Sequence, residues 1–197
     1  MIFISTYKSG TNSIGFALEK LGYKTLGYKQ EMFSFSEYIE IFKANTLFSE
    51  VKDLQHCSLF EEIKLSLGFI YKKEEINNTE VFHDWPMGHE CIDPVIKKVM
   101  FPESKFIFSK REKESWLKSV NKWYSSNISN DNYTIGMRDY HEKRINIVKK
   151  EFPKDVLVYN INDKWKPICD FLGKEIPEIE FPHINKQENR GRKGIDR

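Results

Sequence analysis

Residues 2–21 read IFISTYKSGTNSIGFALEKL, and this stretch decides the fold. Its first four residues, Ile2 to Ser5, are apolar except for the last and predict a short buried strand. A polar loop from Tyr7 to Ser13 follows, built around Gly10. A helix is then predicted from about Asn12 to Leu21, because its apolar residues recur at spacings of three and four. This order of strand, glycine-containing loop and helix is typical of the opening of an α/β domain.

The rest of the chain alternates strands with helices in the same way. Strands are predicted at 80–83, 105–109 and 156–159, and helices at about 92–100, 113–124, 140–150 and 165–172. Residues 33–73 read as mostly helical, and the Ser- and Asn-rich residues 125–134 read as a mobile loop. Such alternation predicts one domain over residues 1–197, with a central parallel sheet between two layers of helices.

Polar residues follow three of the predicted strands directly. They are the loop from Tyr7 to Ser13, the pair His83-Asp84 and the pair Lys110-Arg111. In a parallel sheet the carboxyl ends of the strands share one edge, and ligands bind there. The sequence therefore predicts that these three groups converge on one site.

The loop after the first strand has the chemistry of an anion site. A glycine turn that opens a helix presents free N–H groups and the positive end of the helix dipole. Lys8 adds a charge, and Ser9, Thr11 and Ser13 add hydroxyls. The loop is not a Walker A motif, because its lysine precedes the glycine and no Mg²⁺-binding Ser or Thr follows a GK pair. Taken alone, it is equally typical of an ordinary helix N-terminus with a chance lysine.

Composition excludes several classes of protein. The net charge is only +2, which does not favour nucleic-acid binding. The three cysteines are far apart and form no CxxC pair, so neither a disulfide framework nor a zinc site is predicted. No apolar run could span a bilayer, and no signal peptide precedes the first strand, so a cytoplasmic protein is predicted. Basic residues gather only in the tail, residues 186–197, where a solvated terminus is the plain interpretation.

At this point the sequence resembles a known family. Lys8-Ser9-Gly10-Thr11 with Asn12-Ser13 is similar to the 5′-phosphosulfate loop of the P-loop sulfotransferases. Tyr7 stands where that family commonly has proline, and Asn12 where it often has threonine. The resemblance implies that all six residues from Lys8 to Ser13 bind the donor 3′-phosphoadenosine 5′-phosphosulfate (PAPS).

Two further segments carry the resemblance. Arg111, and Ser119 eight residues later, match the pair with which sulfotransferases bind the 3′-phosphate of PAPS, although the proline that often follows is replaced by Lys113. Without the resemblance they are an ordinary surface charge and a neutral helix residue. Arg192, Lys193 and Gly194 resemble the Arg-Lys-Gly that cytosolic sulfotransferases fold over the same phosphate.

The resemblance implies transfer of a sulfuryl group from PAPS to a hydroxyl or amine, with Lys8 stabilising the leaving phosphate and no metal required. The base is Asp84 or His83; the Asp84-Trp85-Pro86 setting resembles the acidic subgroup and favours Asp84. The acceptor would be a small molecule or a glycan, and residues 33–73 would shape part of its binding pocket. The alternatives are a P-loop kinase-like enzyme and a non-catalytic nucleotide-binding protein that retains the fold.

Overall fold

A computed structural model describes residues 1–6, 8–27, 77–84, 88, 92–124 and 132–184. The expected helical segment 33–73 and the basic tail 186–197 lie outside the described residues.

The described residues form five strands and five helices. The strands are β1 (Ile2–Ser5), β2 (Thr25–Leu26), β3 (Val81–His83), β4 (Lys105–Ser109) and β5 (Val156–Tyr159). The helices are α1 (Thr11–Lys20), α2 (Pro94–Met100), α3 (Lys113–Tyr124), α4 (Asn132–Glu151) and α5 (Trp165–Leu172). Short 3₁₀ turns at Pro153–Asp155 and Ile161–Asp163 flank β5.

The strands pair in the order β2-β3-β1-β4-β5, and every pairing is parallel. β1 is central: Phe3 lies opposite Phe82 of β3 on one side and Phe106 of β4 on the other. The chain leaves β1 through α1 toward β2, whereas it leaves β4 through α3 and α4 toward β5. The two connections diverge, so the crevice between the ends of β1 and β4 is a topological switch point, where α/β proteins bind ligands.

The sheet has an apolar core on each face. Because side chains alternate along a strand, Phe3 and Ile4 point to opposite faces, and both are completely buried. Phe3 belongs to a cluster with residues of α2 and α4, namely Val95, Ile96, Ile145 and Val148. Ile4 belongs to a cluster with residues of α1 and α5, namely Ile14, Ala17, Leu18 and Ile168. The predicted three-layer arrangement of helices, parallel sheet and helices is confirmed.

Three details differ from the sequence prediction. β2 was not predicted, since two residues carry no periodicity. α2 begins at Pro94 rather than at 92, because the Asp93 carboxylate accepts a hydrogen bond from the Val95 N–H, 2.7 Å away, and caps the helix. α4 begins at Asn132, inside the expected 125–134 loop, and ends at Glu151. Its buried Ile145 and Val148 pack on the sheet. Its first residues, Asn132, Tyr133 and Thr134, have weak intrinsic helix propensity, so the sequence alone did not predict this start.

No helix in the described part of the chain is both long enough and apolar enough to cross a bilayer.

Candidate active site

The loop between β1 and α1 contains two left-handed residues. Lys8 has φ 57° and Gly10 has φ 88°, and the Ser9 N–H donates to the Thr6 carbonyl at 3.1 Å to close the turn. α1 begins at Thr11, and its N-cap residue is Gly10, which has no side chain to cap the helix. The first N–H groups of the helix therefore remain available where the positive end of its dipole lies, which is an arrangement that binds anions.

The walls of the crevice hold this loop in place. Ser109, at the end of β4, donates its hydroxyl to the Ser9 carbonyl at 2.5 Å. On the other side, the Ser13 hydroxyl accepts from the Ile184 N–H at 3.0 Å and lies 3.3 Å from the carbonyl of the same residue. The hydroxyl of Ser13 is therefore already hydrogen-bonded to the backbone. The hydroxyl of Ser9, by contrast, is buried and has no hydrogen-bond partner among the described residues.

Gly10 is required for two reasons. Its φ of 88° lies in the region that favours glycine. A Cβ at this position would also lie 3.2 Å from Cδ1 of Ile161, in the 3₁₀ turn after β5. Ile161 thus forms a wall beside the loop, and a side chain at position 10 would push against it.

Arg111, just past the end of β4, is hydrogen-bonded to the loop. Its Nη1 donates to the Lys8 carbonyl at 3.0 Å, and its Nε donates to the Ser115 hydroxyl at 2.9 Å. These contacts with described residues use two of the five N–H groups of the guanidinium. Burial lowers the pKa of Arg111, but an arginine at neutral pH stays charged.

Ser119, the predicted partner of Arg111, is half-buried in α3. It lies one helical turn beyond Ser115, so both hydroxyls belong to the helix face nearest Arg111. Sequence reasoning missed Ser115. The spacing of four residues between Arg111 and Ser115 was the signal that could have found it.

His83, the last residue of β3, is held against α1. Its Nδ1 lies 3.2 Å from Oδ1 of Asn12, in the first turn of α1. The ring fills a slot between two glycines: a Cβ on Gly15 would lie 2.5 Å from Nε2, and one on Gly27 would lie 2.7 Å from Cε1. Burial lowers the pKa of His83 below its ordinary value of 6.5, although the nearby Asp84 charge opposes this shift. His83 is therefore neutral at physiological pH.

Asp84 follows the strand in a left-handed conformation, with φ 64°, and is half-buried. Gly88 packs on this turn so closely that a Cβ there would lie 2.5 Å from the Asp84 backbone nitrogen. In the described part of the chain the non-glycine residues with positive φ are Lys8, Asp84 and Lys164, and each follows the carboxyl end of a strand. Backbone strain of this kind concentrates at functional sites.

The structure thus brings together the β1–α1 loop, the end of β3 and Arg111. Tyr7, Arg192, Lys193 and Gly194 lie outside the described residues. Among the described residues, no three or more His, Cys, Asp or Glu side chains form a group that could hold a metal ion.

Comparisons with known proteins show what the chain is similar to. A curated relative, Ava biosynthesis cluster protein M of Aspergillus versicolor, is 25% identical in a region that covers 43% of this chain and 46% of that protein. The matched region is therefore less than half of the relative's length. The family model described as "Sulfotransferase domain" matches residues 1–137 and 122–190, which together reach nearly every part of the chain. The chain belongs to the sulfotransferase domain family.

Proposed function

We propose that this protein transfers a sulfuryl group from PAPS to a hydroxyl or amine acceptor by in-line displacement. The observation that carries the proposal is the hydrogen bond from Arg111 to the Lys8 carbonyl. It links the residue proposed for the 3′-phosphate to the loop proposed for the 5′-phosphosulfate. Membership of the sulfotransferase domain family supports the same activity.

The donors at this crevice suit phosphate and sulfate oxygens. The Ser9 hydroxyl is buried without a partner among the described residues, and the first turn of α1 has uncapped N–H groups. Contacts with described residues use two of the five N–H groups of Arg111, and a guanidinium binds phosphate oxygens in pairs. A site with many donors and one fixed arginine recognises a ligand that carries an anion at each end.

Each residue has a proposed task. Lys8, with the loop N–H groups, would stabilise the negative charge that develops on the bridging oxygen of the leaving phosphate. Arg111 and Ser119 would hold the 3′-phosphate, and Arg192-Lys193-Gly194 would close over it. Sulfuryl transfer, like phosphoryl transfer, needs positioning and charge stabilisation rather than covalent help from the protein. Sulfate carries less charge than phosphate, so we propose that no metal is needed.

We propose that Asp84 takes the proton of the acceptor and that His83 supports the loop. The ring of His83 is enclosed between Gly15 and Gly27, with Nδ1 directed at Asn12. This placement suits an imidazole that orients the Asn12 amide. Asp84 lies one residue further, beyond the end of the strand, where an acceptor would approach the loop.

Calorimetric titration with 3′,5′-adenosine bisphosphate (PAP), in EDTA, tests the donor site. We expect micromolar binding by the wild type and about 10- to 100-fold weaker binding by Arg111→Ala, because a charge-assisted hydrogen-bonding group is lost. Lys8→Ala should weaken binding as well. The control is Lys113→Ala, which removes an exposed lysine two residues from Arg111. Failure of the wild type to bind PAP, together with Mg²⁺-dependent binding of ATP, would overturn the proposal in favour of a kinase-like enzyme.

A further inference from the structure

One face of α4 contacts the backbone on which the proposed donor site is built. Nη2 of Arg138 donates to the Arg111 carbonyl at 2.6 Å. The Arg138 guanidinium lies over the ring of Trp116, 4.8 Å from its centroid, and Trp116 is 1% exposed. A guanidinium that lies over a buried ring and also donates to a carbonyl is held by both contacts.

Neighbouring residues of α4 contact the same edge of the sheet. Nε2 of His141 lies 3.1 Å from the hydroxyl of Ser5, the last residue of β1, and both side chains are buried. Glu142 accepts a hydrogen bond from Lys110 at 2.9 Å. α4 therefore holds the ends of β1 and β4, the two strands that border the proposed site.

Arg138 also carries a buried N–H group that no described residue satisfies. Its Nη1 has no hydrogen-bond partner within the part of the chain that the structure describes. A buried donor without a partner is unfavourable, and native structures contain few of them. An apolar side chain at this position could pack on Trp116 without that cost, but it could not donate to the Arg111 carbonyl. The contact with Arg111 is therefore the feature that requires an arginine here.

We propose that Arg138 is a positioning residue, which aims Arg111 at the 3′-phosphate of the donor by fixing the backbone where β4 ends. The guanidinium of Arg111 is held by hydrogen bonds to Lys8 and Ser115. The backbone from which this side chain extends is held by the hydrogen bond from Arg138. Without the hydrogen bond from Arg138, the Arg111 guanidinium would still be present, but it would be displaced relative to the loop. The inference rests on the proposed function.

The test compares two ligands that differ by the 3′-phosphate. The dissociation constants of PAP and of 5′-AMP are measured by calorimetry, and their ratio gives the preference for the 3′-phosphate. We expect Arg138→Gln to reduce this preference about five- to tenfold and to leave the affinity for 5′-AMP unchanged. Arg138→Lys should be intermediate, since it can donate to the carbonyl but cannot stack as a plane. Lys143→Gln, which removes an exposed charge from the same helix, is the matched control.

A double variant separates a positioning role from a general one. In an Arg111→Ala background, Arg138→Gln should not reduce the preference further, because the group that it aims is gone. Thermal unfolding of each variant confirms that it is folded at the assay temperature. An unchanged preference in Arg138→Gln, or an equal loss of affinity for both ligands, would overturn the inference alone. A wild type without any preference for PAP would overturn the proposed function and this inference with it.

Discussion

Replacing Gly15 by alanine tests the slot that holds His83. Gly15 lies inside α1, where alanine is favoured over glycine by about 1 kcal/mol. The new Cβ, however, would lie 2.5 Å from Nε2 and 2.6 Å from Cγ of His83, and Gly27 closes the other side of the ring. For the same substitution, helix propensity therefore predicts a gain in the free energy of unfolding, and packing predicts a loss.

The packing effect should be larger. Overpacking of a filled site costs about 1–3 kcal/mol. Moving the ring also breaks the contact between His83 and Asn12, which is worth about 1 kcal/mol. Because the overlap involves several ring atoms, we place it at the upper end of that range. The lost contact adds to the overpacking cost and the gain in helix propensity offsets it, so we expect Gly15→Ala to lower the free energy of unfolding by about 3 kcal/mol.

Urea denaturation measures this change, and the chain offers a matched control. Gly136 lies in α4, is exposed, and would meet nothing within 4 Å on gaining a Cβ. Gly136→Ala should therefore raise stability by up to about 1 kcal/mol. In a His83→Ala background, Gly15→Ala should also become stabilising, because the ring that it strikes is absent. If Gly15→Ala stabilises the wild type as Gly136→Ala does, the ring of His83 is not held in this slot.

Three further outcomes are expected. Burial holds the pKa of His83 in the folded protein below the 6.5 of an exposed imidazole, so as the pH falls the unfolded chain binds a proton at this residue first. The contribution of neutral His83 to the free energy of unfolding is therefore complete above about pH 6.5 and is lost as the pH falls through the folded pKa. Urea denaturation curves of His83→Gln, measured across this pH range, should lack this dependence. Arg144→Met should lower the free energy of unfolding by about 3–5 kcal/mol in urea titrations, because it leaves the buried Asp93 carboxylate, 2.6 Å from Arg144 Nε, without its cation; Asp93→Asn added to it should recover part of the loss. Gly10→Ala should weaken PAP binding in calorimetry, and Ile161→Val should restore only part of it, since the smaller residue relieves the contact but not the positive φ.

The periodic parts of the fold could be predicted from the sequence. β1, β4 and β5 are short apolar runs bounded by polar residues, and α1 shows a clear apolar stripe. These patterns are local, so one sequence is enough to recognise them. β2 was not predicted because it has only two residues and lies at the edge of the sheet. The start of α4 was not predicted because its first residues, Asn132, Tyr133 and Thr134, have weak intrinsic helix propensity.

The site was predictable in outline but not in its contacts. Convergence of the β1–α1 loop, the end of β3 and Arg111 follows from the rule on carboxyl ends of parallel strands. The slot that Gly15 and Gly27 form for His83 depends on elements far apart in the chain, and no local pattern encodes it. Side chains alternate only along extended backbone, and Asp84 has φ 64°, so the strand pattern could not predict where its side chain points relative to that of His83.

The role proposed for Arg138 could not be predicted from the sequence either. In the sequence it is one of several charges on a long helix, and its contact with Arg111 spans 27 residues. The residues proposed to contribute chemistry were visible in the sequence through their positions after strands. The residue proposed to position Arg111 became visible only through its tertiary contacts.

Sulfuryl transfer itself is the most direct test of the account. Purified protein is incubated with PAPS, in EDTA, together with acceptors that present an alcohol, a sugar hydroxyl, a phenol or an amine, and the PAP released is quantified. The account predicts PAP release that an acceptor stimulates in the wild type and that falls strongly in Lys8→Ala and in Asp84→Asn. Tight binding of PAP without acceptor-stimulated release from any of these groups would contradict the transferase, and would favour a nucleotide-binding protein that retains the fold.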